Sequence, residues 1–169
     1  MFPIKAKEDL PVTQIWVHSV AVRGELGPLS VYVSKPYNES DSNNNNATFR
    51  FPLQKRHWTR IYQGTHAPSR REYQWLDFSN QPVVLQPGQV RALYIHSTLE
   101  GDEAIVYDNA AHVVRHPWQA AAAAGWNRRT GRPTNTPQPR YQDAFVSIWP
   151  GKAHLSPQPF GQTPIWGWG

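Results

Sequence analysis

Residues Arg91–Asn109 read RALYIHSTLEGDEAIVYDN, and the fold turns on how this stretch is understood. One possibility is a catalytic cluster, with His96 and Ser97 placed shortly before Asp102, Glu103 and Asp108. The other is two strands joined by a polar turn. The residue pattern favours the strands. Arg91, Leu93, Ile95 and Ser97 share one face of an extended segment, while Val90, Ala92, Tyr94, His96 and Thr98 share the other. His96 and Ser97 therefore point apart and cannot act as a pair. LEGDE makes a turn, with its acids in solvent.

Similar segments lie on either side. PLSVYVS alternates Leu29, Val31 and Val33 against Ser30, Tyr32 and Ser34, the period of a half-buried strand. VTQIWVHSVAV, residues 12–22, is β-rich and unbroken by Gly or Pro and reads as a strand, and GELG after it is expected to close a hairpin with PLSVYVS. HWTRIYQGT reads as a strand with Trp58, Arg60 and Tyr62 on one side. HAPSRRE reads as a loop and YQWLDFS as a strand with Leu76 and Phe78 on one face. NQPVVLQPGQ supplies a short strand and a Pro-Gly turn, AIVYD a strand after LEGDE, and DAFVSIWPG another strand. Long helical periodicity is missing, and 16 Pro and 11 Gly demand many turns. The fold class is all-β: an antiparallel β-sandwich with long loops, the jelly roll being one form it can take.

The chain of 169 residues suits one domain, 1–169. Residues 36–47 are acidic and Asn-rich with little to bury, which predicts a flexible loop. Residues 119–140 hold an Ala run, Gly125, four Pro or Gly positions beyond it and several Arg; they read as an Ala/Arg/Pro-rich insertion. KAHLSPQPFGQTPIWGWG reads as a loop-rich tail whose apolar end should dock on the domain or on a partner.

The absence of Cys excludes disulfides, thiol nucleophiles and thiolate metal sites. With no visible signal peptide, it points to an intracellular, cytoplasmic protein, secretion left open. Two glycosylation sequons, at Asn38 and Asn46, lie in the polar loop. No segment has membrane-spanning length.

Catalytic constellations are weak. A serine hydrolase would need a nucleophile elbow, and no G-x-S-x-G occurs. Metal binding could draw on His66, His96, His112, His116 and His154 with Asp102 or Asp108, but no tight ligand pair stands out. Asp77 and Asp108 are the one carboxylate pair placed at strand ends for glycoside chemistry. The expectation is no enzyme, no catalytic residue, no metal and no cofactor.

Binding signals are stronger. Six Lys or Arg and no acid occur from Arg50 to Arg71, with Trp58 and Tyr62 interleaved. Five Arg and no acid occur from Asn109 to Gln142, with Trp118 and Trp126 among them. Interleaved basic and aromatic residues are what single-stranded nucleic acid requires, and 8 Trp would also serve sugar stacking. Arg, Trp and Tyr are equally the residues that dominate protein interfaces. The candidate binding residues are His66, Arg70, Arg71, Glu72, Tyr73 and Trp75, in a loop at the end of the sandwich, with Trp126, Arg128 and Arg129 in the insertion.

The run FSNQPVVLQPGQVRALYIHSTLEGDEAIVYDN, residues 78–109, resembles the PHR-type sandwich modules attached to some ubiquitin ligases and BTB proteins. The likeness lies in the order of strand, apolar PVVL, Pro-Gly turn, and strand ending near a polar loop. It implies a sandwich that binds other macromolecules and assigns no site residue. The leading expectation is a non-enzymatic module that binds a protein or its own copies. Carbohydrate and single-stranded nucleic acid are the alternatives, and no membrane partner is expected.

Overall fold

Alternating apolar residues, β-branched side chains and frequent turn residues produce strands almost throughout. The computed structural model describes residues 1–37, 54–99, 104–106, 126–127, 132–133, 139–154, 156, 158–161 and 165–168. Its strands are β1 (Phe2–Ala6), β2 (Ile15–Val17), β3 (Ser19–Gly24), β4 (Gly27–Ser34), β5 (Trp58–His66), β6 (Ser69–Asp77) and β7 (Val83–Leu85). There follow β8 (Val90–Ser97), β9 (Trp126–Asn127), β10 (Arg132–Pro133), β11 (Tyr141–Gln142), β12 (Val146–Ile148), β13 (Gly151–His154) and β14 (Ile165–Trp168). Among the described residues the helical content is a single 3-10 turn, Lys55–His57, leading into β5.

One sheet has six strands in the order β11-β12-β1-β8-β4-β5, every pairing antiparallel. Against it packs a layer made by β3 with β6 and β2 with β7. The two layers share one long ribbon. β4 pairs with β5 from Ser34↔Trp58 to Gly27↔His66, and β3 then takes up with β6 at Gly24↔Ser69. The pairing ends in β2 against β7, at Ile15↔Leu85. The ribbon thus leaves the sheet at Glu25–Leu26, opposite Ala67–Pro68, and folds back over it.

GELG is therefore a corner and not the hairpin turn expected from sequence. β3 and β4 do not pair with each other; each runs beside β6 or β5. Sharp re-aiming of a strand needs unusual backbone. Gly24 (φ 146°), Leu26 (φ 54°) and Gly27 (φ 64°) all have positive φ. A leucine there is disfavoured by about 1–2 kcal/mol, so its surroundings must hold it. Leu26 is fully buried. Its N–H donates to the Ala104 carbonyl at 2.9 Å, and its carbonyl accepts from Ser97 Oγ at 2.6 Å.

The core lies between the layers. Ile4, Ala6, Leu29, Val31, Val33 and Leu93 of the sheet meet Val22, Leu26, Leu76, Phe78, Val83 and Leu85. Arg91 ties the layers where its half-buried side chain crosses between them: Nε donates to the Ser34 carbonyl and Nη1 to that of Val84. The expected faces of β8 hold, with Leu93 and Ile95 on the core side and Ala92 and Tyr94 on the other.

Several expectations change. The strand expected from residue 12 begins at Ile15, and Val12 and Thr13 are exposed. Trp58 and Arg60 share a face, but Tyr62 lies on the opposite one. Val31 pairs with Tyr62 and Tyr32 with Arg60, so Ile61 is an extra residue, and such a bulge inverts the alternation. The region 36–47 begins with an ordered Tyr37 that exchanges backbone hydrogen bonds with Val90; residues 38–47 lie outside the described ones. Within 119–140, β9 pairs with β10, and most other positions lie outside the described residues. The tail is not all loop, because β13 pairs with β14 over four residues. Ala104–Val106 is not a strand but lies against the corner, Val106 N–H donating to the Arg23 carbonyl.

The corner makes a graded prediction. A Cβ on Gly27 would stand 2.8 Å from the Leu99 side chain, besides the strain of its φ. Gly27→Ala should cost about 2–4 kcal/mol. Gly88 (φ 75°) would meet only the flexible Glu8 side chain at 3.2 Å, so Gly88→Ala should cost about 1 kcal/mol. Ser97→Ala, which removes the donor to the Leu26 carbonyl, should cost about 1–3 kcal/mol. Urea unfolding midpoints of the three variants check the order.

Candidate functional site

Among the described residues, the outer face of the folded-back layer carries the most exposed aromatic surface. In β2, Ile15 and Val17 pack on the core, so Trp16 between them faces out and is 55% exposed. In β6, Leu76 is buried and Trp75 faces out, 68% exposed. Its cross-strand neighbour is Ala21, too small to cover an indole. Tyr73 is 57% exposed.

A bulge sets the rest of the surface. Val22 pairs with Gln74, and Gly24 already pairs with Ser69. Only Arg23 lies between them on β3, against Arg70, Arg71, Glu72 and Tyr73 on β6. Extra residues bow outward from a ladder, and all four of these side chains are exposed. The Arg23 guanidinium lies 5.6 Å from the centroid of the Tyr73 ring, in cation–π range. Arg70 Nε donates to Glu25 Oε1 at the corner. Ser69 Oγ donates to the Glu72 carbonyl at 2.8 Å and helps to shape the bulge.

Further along the same face, the Trp16 and His18 rings are 6.1 Å apart, and Trp16 Nε1 donates to Gln14 Oε1 at 3.1 Å. Asp77 closes that end. Its Oδ1 accepts from the Ser79 N–H and Oγ, and these bonds, with the charge of His18 adding a smaller effect, hold the carboxyl below its usual range. The result is a face with three open rings, guanidinium groups and a carboxylate. No family model matches the chain, and no curated protein or solved structure is significantly similar to it.

The structure thus brings together Arg70, Arg71, Glu72, Tyr73 and Trp75 from the expected set, but on a strand. The expected loop HAPSRRE, residues 66–72, is reduced to Ala67–Pro68, because the flanking residues belong to β5 and β6. His66 is turned to Tyr62, their Nε2 and Oη 2.6 Å apart and their rings stacked, so it serves β5. Gly64 makes room for this contact, since a Cβ there would sit 2.5 Å from Tyr62 Oη. Trp126 lies in β9, and Arg128 and Arg129 lie outside the described residues. Trp16, His18 and Arg23 were not singled out from sequence. Strict alternation through Ile15-Trp16-Val17 was the available signal for Trp16.

A second aromatic cluster covers the other side of the six-stranded sheet. Tyr32, Trp58 and Tyr94 surround Phe160, with ring centroids 5.0–5.8 Å from it. Phe160 has φ 63° and is presented by a turn in which the Gly161 N–H donates to the Gln158 carbonyl. Burial pushes the Tyr94 phenol up to about 12, partly offset by a backbone hydrogen bond from Phe160. His96, buried beside Tyr94, lies 3.0 Å through Nε2 from the Ser156 carbonyl, which can only accept; Nε2 therefore carries the proton. Ser97 faces the corner from the opposite side of β8. His96 and Ser97 are parts of two separate packing arrangements.

Burial lowers the His96 pKa, opposed more weakly by its bond to Ser156. A histidine whose folded pKa is depressed takes up a proton on unfolding. Its contribution is complete above the unfolded value, about 6.5, and is lost as pH falls through that value toward the folded one. Melting temperature should therefore fall as pH drops below about 6.5. His96→Gln, which keeps a donor for Ser156, should flatten that part of the profile. An unchanged slope would show that another group carries it.

Proposed function

We propose that this protein is a non-enzymatic recognition module that binds a protein partner through the outer face of its folded-back ribbon. One observation carries the reading: Trp16, Tyr73 and Trp75 stand open on one β face, with Arg23 and Arg71 among them. Trp, Tyr and Arg are the side chains in which interface energy concentrates. The rings bring large contact area with few rotatable bonds, and the guanidinium groups bring directed hydrogen bonds. Because Leu76 and Val22 anchor the two strands from beneath, the face is held before a partner arrives. The resemblance of residues 78–109 to PHR-type modules agrees with a binding role.

Three rings on an open sheet face also favour a second reading, a sugar chain stacked across them. The two readings differ in what replaces the rings tolerably. A protein interface relies on Arg71 as well as on Trp75, whereas stacking on a neutral sugar relies on the rings alone.

The test uses a photo-crosslinking residue at position 73 in the full chain, with crosslinked products identified by mass spectrometry. A single protein species, or a second copy of this chain, is expected. Trp75→Ala and Arg71→Ala should each weaken that complex about tenfold or more, a loss of about 1.4 kcal/mol or more. Melting temperature should be nearly unchanged, since both side chains are exposed. Binding to neutral oligosaccharides that needs Trp75 but ignores Arg71 would replace this reading with the second.

A further inference from the structure

A second surface lies along the β5 edge of the six-stranded sheet, and it is polar and cationic. β5 is an edge strand of that sheet. The 3-10 turn before it exposes Lys55 and Arg56, with His57 half-buried. The Lys35 N–H donates to the His57 carbonyl at 3.1 Å, which brings exposed Lys35 beside the turn. Arg60 continues the row along the strand. Across from Tyr32, Ser30 and Pro28 on β4 stand Arg60, Gln63 and Thr65, all exposed and on one side of the sheet. The chain from Arg50 to Arg71 holds no Asp or Glu, and among the described residues no carboxylate pairs with Lys35, Lys55, Arg56 or Arg60.

We propose that this edge is a binding strip for a linear sulfated glycan. The four cations match sulfate groups, and the Gln63 amide and Thr65 hydroxyl match the hydroxyls of the sugar units between them. From Lys55 to Thr65 the strip runs for about 25–30 Å along the 3-10 turn and β5, room for several sugar units. The chemistry of the strip argues against the other polyanions. Single-stranded nucleic acid needs exposed rings on which bases stack. The two rings interleaved with these cations are turned away: Trp58 is buried under Phe160, and Tyr62 lies against His66 and the core. A lipid surface rewards exposed apolar side chains beside the cations. None of the large hydrophobic residues exposed in the structure falls between Gln54 and His66. Among the described residues, the bulged edge strand and its 3-10 turn present no helix or two-stranded ribbon to enter the groove of a nucleic-acid duplex. The strip is separate from the ribbon face and does not depend on the function assigned there.

The test titrates the full chain with a size-defined heparin oligosaccharide, and in parallel with its desulfated form and with single-stranded and duplex DNA of similar length. Heparin should bind, weaken steeply with salt, and outcompete both DNA forms, while the desulfated sugar should not bind. Lys55→Gln with Arg56→Gln should weaken heparin binding about tenfold and reduce its salt dependence, with the melting temperature retained. Trp75→Ala, on the ribbon face, should leave heparin binding unchanged. The proposal is overturned if the double variant binds heparin as the parent does, if Trp75→Ala removes binding, or if either DNA competes equally well.

Discussion

The bond from Ser97 Oγ to the Leu26 carbonyl holds the two layers of this protein in register. Leu26 sits in a backbone region that leucine avoids, at the point where the ribbon leaves one sheet and folds over it. On one side of that point, β4 contributes Leu29, Val31 and Val33 to the core; on the other, β3 contributes Val22. If the corner relaxed to an ordinary extended path, these sets could not face each other. The corner is over-determined to prevent this: Ala104 and Ser97 satisfy its backbone, Leu99 closes over Gly27, and the Leu26 side chain is surrounded.

The same corner shows what could be read from sequence and what could not. A hairpin turn and a ribbon corner both call for glycine at positive φ, so GELG looks alike in either role. Which one it is depends on whether β3 and β4 find each other or each finds a third strand, and that is decided by long-range pairing. Alternation within a strand was legible wherever both neighbours kept step, as in β8, where the divergence of His96 and Ser97 followed directly. It failed in β5, because the extra residue at Ile61 exists only relative to the register of β4. For the same reason Arg70–Tyr73 looked like a loop: three charges in a row resemble a turn, whereas a bulge lets a strand carry them. The tail was misjudged because GKAH and IWGW are short and glycine-bearing, and each takes its extended form from the other.

Bulge and corner together explain the division of labour on the surface. Charges on an edge or bulge deter unwanted strand pairing, and the bulged segment of β6 has Arg70, Arg71 and Glu72 in succession. Next to them the rings of Tyr73 and Trp75 are open, a costly arrangement for a soluble surface if nothing covers it. Across the molecule, the rings of Tyr32, Trp58 and Tyr94 do have a cover, supplied by Phe160. Side chains of one chemical kind thus have two fates, and the difference lies in whether the chain itself returns to bury them.

The placement of β1 has a consequence for how the molecule is made. β1 lies between β8 and β12, so residues near the start of the chain pair with Val90–Leu93 on one side and Val146–Ile148 on the other. Contacts so remote in sequence slow folding, since most of the chain must be gathered before they form. During synthesis the ribbon and β8 can assemble early, but β1 waits with one open edge until β12 has emerged. An intermediate with an apolar strand edge is the species most exposed to mispairing with a neighbouring chain. Assistance from chaperones would therefore matter in the interval between the emergence of β8 and that of β12.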